Sequence, residues 1–63
     1  MDKNFYNEAS AAKLGWEPSW FGEKFFDDKL TRAIKSFQRK LGLSPDGLCG
    51  PATFRRLWTN RQE

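Results

Sequence analysis

A chain of 63 residues makes one domain at most. Burying only about 60 % of the surface its unfolded form exposes, it has room for one small core and little for a substrate cleft inside that core. Its apolar content of 38 % and aromatic content of 16 % favour folding over disorder. The net charge of +3 suits an anionic partner without choosing among nucleic acid, a membrane surface and acidic wall peptides.

One cysteine and no histidine exclude an internal disulfide, a His-based zinc site and any Ser–His or Cys–His catalytic pair. No metal and no cofactor are expected. No apolar run is long enough to span a bilayer. Met1-Asp2-Lys3-Asn4 leads into no secretory apolar region, so work outside the cytoplasm requires another route of delivery.

In chain order, the first predicted helix runs from Asn4 or Asn7 to Leu14, with Gly15 as its stop. Ala9, Ala11 and Ala12 have high helix propensity and allow close approach to a neighbouring helix. A linking segment over residues 15–26 follows, crowded with Trp16, Trp20, Phe21, Phe25 and Phe26. The clearest helix lies between Asp27 and Leu41. Asp27 or Asp28 caps its first turn, where a carboxylate meets free N–H groups and the positive end of the dipole. Leu30, Ala33, Ile34, Phe37 and Leu41 recur at three- and four-residue spacing and mark the buried face, with Arg32, Lys35, Arg39 and Lys40 mainly off it. Gly42 ends this helix and Leu43 is placed for the apolar contact of a Schellman end.

The second linking segment spans residues 42–49. Asp46-Gly47 is a turn signal: the carboxylate can accept from the N–H two residues on, and glycine can take positive φ. Gly50-Pro51 with Thr53 starts the last helix, since proline at the first helical position gives up an N–H that would have no partner there. Phe54, Leu57 and Trp58 form its apolar stripe, while Arg55, Arg56 and Arg61 face outward. Cys49 reads as a buried small residue.

No stretch alternates with period two. The expected fold is therefore all-α: one domain over residues 1–63, a small three-helix orthogonal bundle. Lys13-Leu14-Gly15-Trp16-Glu17-Pro18 echoes Lys40-Leu41-Gly42-Leu43-Ser44-Pro45, so the bundle is built as a pseudo-repeat of helix–loop–helix sharing the middle helix.

The segment 33–57 resembles the peptidoglycan-binding domain 1 family. The residues that carry the resemblance are Ala33-Ile34, Phe37-Gln38, Gly42-Leu43, Asp46-Gly47, Gly50-Pro51, Thr53 and Leu57, with the family's spacing at every step. In the first loop the family often has Asp-Gly-x-Phe-Gly before a Thr. Here Phe26 remains, Glu23 and Lys24 stand at the Asp-Gly positions, Asp27 at the Gly and Leu30 at the Thr. The resemblance implies a non-catalytic module that binds wall peptidoglycan, its glycan strand, its stem peptide or both. It also implies a setting beside a catalytic domain, as in phage endolysins and bacterial wall hydrolases. Such a chain acts at the wall, on the periplasmic side, if a fused domain, a holin or lysis delivers it. It is expected to be a monomer.

Phe37, Gln38, Gly42, Asp46, Gly47, Gly50, Pro51 and Thr53 are read as scaffold. Phe37 belongs to the core, and Gln38 satisfies backbone groups near it. The ligand candidates are Trp16, Trp20 and Phe21, with Arg39, Arg55 and Arg56. Two tryptophans in one loop exceed what a core needs, and the C–H faces of sugar rings stack on indoles. Pro18 stiffens that loop. Phe25 and Phe26 are read as caps on the core. The arginines could hold stem-peptide carboxylates by bidentate hydrogen bonds, or simply form a solvated helix face. Asp27 and Asp28 are adjacent at a helix start, which suits capping and not the flanking of a glycosidic bond.

Two other readings compete. A helix-turn-helix DNA binder fits three helices and basic charge, but its tight turn and polar recognition face are not evident and the aromatic loop has no use in it. A protein-interaction domain that kept the fold and lost wall binding fits the altered first loop. Nucleic acid is not the expected partner.

Overall fold

The computed structural model describes residues 2–62, with side chains through Asn60. Three helices, α1 (Lys3–Leu14), α2 (Asp28–Lys40) and α3 (Pro51–Gln62), account for the fold, and a short 3-10 turn (Pro18–Phe21) interrupts the first link. No strand is present among the described residues.

The expected ends of α2 and the expected start of α3 hold. Asp27 caps α2, its carboxylate accepting from the Leu30 N–H at 3.1 Å. At the other end Leu43 N–H donates to Gln38 C=O at 2.8 Å and Gly42 N–H to Arg39 C=O, with Gly42 at φ +76°. Those are the two bonds of a Schellman motif. Pro51 opens α3, and the Phe54 N–H returns to Gly50 C=O. Arg61, expected to face outward, lies outside the described side chains.

Helix α1 starts earlier than either asparagine suggested. The Asp2 carboxylate takes the Asn4 and Phe5 N–H groups at 2.9 and 3.2 Å, which frees Asn7 from any capping role. Gly15 ends the helix in the left-handed region, as expected. Of the three alanines only Ala11 is buried; Ala9 and Ala12 are exposed.

The core consists of Ala11, Trp16, Leu30, Ile34, Cys49 and Leu57, with Phe21, Phe26 and Phe37 among the partly buried rings packed against it. Phe37 thus lies at the margin of the core and not at its centre. Burial in these surroundings pushes the Cys49 thiol up to about 12, because a thiolate there would lose its water.

The two links of the pseudo-repeat are held by different forces. The second is gripped by polar side chains. Gln38, wholly enclosed, donates from Nε2 towards Asp46 Oδ1, Leu48 C=O and Thr53 Oγ1, each at 3.0 Å, and accepts the Gly47 N–H at Oε1. From the other side α1 presents Lys3, Asn7 and Ser10, spaced by four and three residues and so on one helical face. Lys3 Nζ donates to Asp46 C=O, Asn7 Nδ2 to Gly47 C=O, Cys49 N–H to Asn7 Oδ1, and Ser10 Oγ to Cys49 C=O. Gly47 sits at φ +78° in a cradle where an added Cβ would lie 2.7 Å from the Thr31 methyl. The first link is held by rings instead: Trp16 meets Phe21 and Phe26 edge-on at 5.6 and 5.9 Å, and Phe21 meets Phe37 at 5.6 Å.

Candidate ligand-binding surface

Trp16 does not belong to an exposed aromatic face. Only 2 % of its surface is accessible. The left-handed turn at Gly15 folds the chain back, and the indole N–H is satisfied by Ser10 Oγ at 3.2 Å. Since that hydroxyl donates in turn to Cys49, Trp16 ties the two links together through α1. Phe21 likewise faces inward, between Trp16 and Phe37. The expectation for Phe25 reverses as well: it is 69 % exposed and caps nothing, while Phe26 is partly buried as expected.

Trp20 is the loop residue that reaches a surface cluster. Its ring lies 6.4 Å from Phe54 and 6.1 Å from Trp58, and Phe54 lies 6.3 Å from Trp58. The interplanar angles are only 22°, 38° and 29°. Three nearly equal separations form a triangle; a column of three rings would set its outer pair twice as far apart. The rings therefore pack as one compact cluster, Phe54 stacked against both Trp20 and Trp58 and the two indoles tilted to each other. Trp58 is 48 % exposed, and Trp20 and Phe54 are half-buried.

Local structure explains the placement. The 3-10 turn closes with Glu17 C=O accepting from Trp20 N–H, and Gly22 at φ +81° ends it, its N–H on Ser19 C=O. Gly22 thus supplies the left-handed residue of the altered loop, and Lys24, at the position corresponding to the cradled Gly47, is exposed. On α3, Leu57 is buried and Thr53 is bound to Gln38, which fixes the helix's inner face and leaves Phe54 and Trp58, one turn apart, on its flank towards Trp20.

Arg39, Arg55 and Arg56 are all exposed. Arg55 precedes Trp58 by three residues and so borders the aromatic patch, whereas Arg56 lies further round the helix and Arg39 stands on α2. A separate open groove of about 580 Å3 runs along α1 and the first link, edged by Glu8, Glu17, Glu23 and Lys24. Three carboxylates against one ammonium make it the wrong sign for an acidic ligand. Among the described residues no helix is long and apolar enough to cross a membrane.

Asp46 accepts the Leu48 N–H two residues on at 2.9 Å, and Gly42, Gly47, Gly50, Pro51 and Thr53 shape the second link and its exit. Sequence reasoning placed Phe54, Leu57 and Trp58 on one apolar stripe and named none as a ligand candidate; Leu57 is buried and Phe54 packs against the core, whereas Trp58 is 48 % exposed. No local signal marked Trp58, because its exposure follows from Thr53 and Leu57 having taken the inner face of α3.

The family model for the peptidoglycan binding domain matches residues 12–57, well over half of the chain. No curated protein and no solved structure matches it. Asn7 and Ser10, which grip the second link, fall outside the matched segment.

Proposed function

The chain belongs to the peptidoglycan-binding domain family, and from that premise we propose that it is the non-catalytic targeting module of a phage-type lysin or other wall hydrolase. It holds its catalytic partner on the wall as a monomer, on the periplasmic side, after delivery by a fused domain, a holin or lysis. The observation that carries the reading is the family match over residues 12–57, together with the intact Gln38-centred scaffold on which the family's recognisable residues lie. Trp20, Arg39, Arg55 and Arg56 remain the ligand candidates from sequence, whereas Trp16 and Phe21 pack inward against each other.

The test is co-sedimentation of the 63-residue chain with purified sacculi. Retention without release of soluble wall fragments supports the reading, and a chain left in the supernatant refutes it. A protein-interaction domain of the same fold is the second reading, favoured by Phe5 and Phe25, exposed to 70 % and 69 %. It predicts no retention on sacculi and a complex lost on replacing those two phenylalanines by serine.

A further inference from the structure

The Trp20–Phe54–Trp58 patch bears on which part of the wall the module grips. We propose that it is a carbohydrate-binding patch that takes an N-acetylhexosamine ring of the glycan strand by stacking on Trp58, with Trp20 and Phe54 packed behind it; this rests on the wall-binding reading above.

The chemistry of the patch favours a sugar over a stem peptide. Wall stem peptides carry carboxylates and ammonium groups. The patch itself carries no charge, and Arg55 stands only at its border. What it presents is the half-exposed indole of Trp58, backed by the rings of Trp20 and Phe54 with centroids 6.1 and 6.3 Å away. A pyranose offers a flat C–H face to such rings and keeps its hydroxyls at the rim, in water. Indole suits this double demand, having a large apolar face and a polar N–H at its edge.

The alternative occupant, a second copy of this chain, is disfavoured by area. An aromatic side chain buries roughly 150–250 Å2 in total, and here two of three are already half-buried, against the roughly 800 Å2 per partner of a standard interface. Rigidity is also present. Neighbouring rings pack Trp20 and Phe54, so little order has to be imposed on them when a ligand arrives.

The experiment uses glycan strands freed of stem peptides by an amidase, beside intact sacculi, with binding followed by tryptophan fluorescence and by sedimentation. The parent chain is expected to bind both. Trp58→Ala, at a half-exposed position, is expected to keep the parent's helical circular dichroism and to weaken binding to the peptide-free strands by roughly tenfold or more, the loss of one ring's stacking. Trp58→Phe, which keeps a flat face, is expected to fall between, and Lys40→Ala, at an exposed position of α2, to bind as the parent does. Binding of sacculi but not of peptide-free strands overturns the proposal and leaves wall binding standing. So does parent-like binding of the strands by a folded Trp58→Ala. Binding of neither material removes this proposal and the wall-binding reading together.

Discussion

Replacing Gln38 by alanine puts the whole second link at stake. The side chain sits buried between α2, the link and α3. Its Nε2 has two hydrogens for three acceptors at 3.0 Å, so the acceptors share them. Not all of these groups are orphaned by its removal. Leu48 C=O keeps the Gly50 N–H, and Asp46 Oδ1 keeps the Leu48 N–H. The Gly47 N–H and the Thr53 hydroxyl lose their partner outright. An unsatisfied buried group costs about 1–3 kcal/mol, so the two orphans together imply roughly 3 kcal/mol before any cavity term. A chain of this size has a total stability of roughly 3–9 kcal/mol at 0.05–0.15 kcal/mol per residue. The loss is therefore a large share of it, and corresponds to a fall in Tm of roughly 12–24 °C at 4–8 °C per kcal/mol. Urea and thermal unfolding followed by far-UV circular dichroism read this directly. Gln38→Met, of similar volume, separates lost hydrogen bonds from lost packing and should still be destabilised. Gln38→Glu keeps the acceptor for Gly47 but sets a carboxylate against Asp46 and Leu48 C=O, so it should be the worst variant at neutral pH and recover on acidification. If Gln38→Ala unfolds within about 0.5 kcal/mol of the parent, the network is not what holds the link.

Gly47→Ala meets both a left-handed backbone and the Thr31 methyl at 2.7 Å, and should cost more than Gly22→Ala, where φ is +81° but nothing stands within 4 Å. The shared backbone term is about 1–2 kcal/mol; combining Gly47→Ala with Thr31→Ser should recover the excess alone, as measured by urea midpoints. Cys49 should resist thiol reagents in the folded chain and react fully in denaturant. Its folded thiol lies near 12 against an ordinary value of 9.0, so above pH 9 the unfolded chain gives up the proton that the folded one retains. Stability should then fall as pH rises from about 9 to 12, by at most about 1.4 kcal/mol per pH unit, and Cys49→Ala should remove that part of the slope, isolating it from lysine and tyrosine titration.

Local chemistry determined much of this protein. Helices α2 and α3, the Schellman end at Gly42, the Asp46-Gly47 turn and the proline start of α3 follow from side-chain periodicity and from backbone preferences that act within a few residues. The backbone-satisfying role of Gln38 was also legible, because a link of polar and glycine residues needs such a partner. Tertiary structure alone decided the rest. Helix α1 docks with Lys3, Asn7 and Ser10 on backbone groups some 40 positions away, so its binding face is polar and leaves no hydrophobic periodicity to read. Equally, nothing local distinguishes Trp16 from Trp58. One is turned inward by Gly15 and met by Ser10, the other is left outside once Thr53 and Leu57 have claimed the inner face of α3. Which aromatic reaches a ligand is thus set by the room remaining after packing, a quantity that belongs to the assembled core and not to any single segment of the chain.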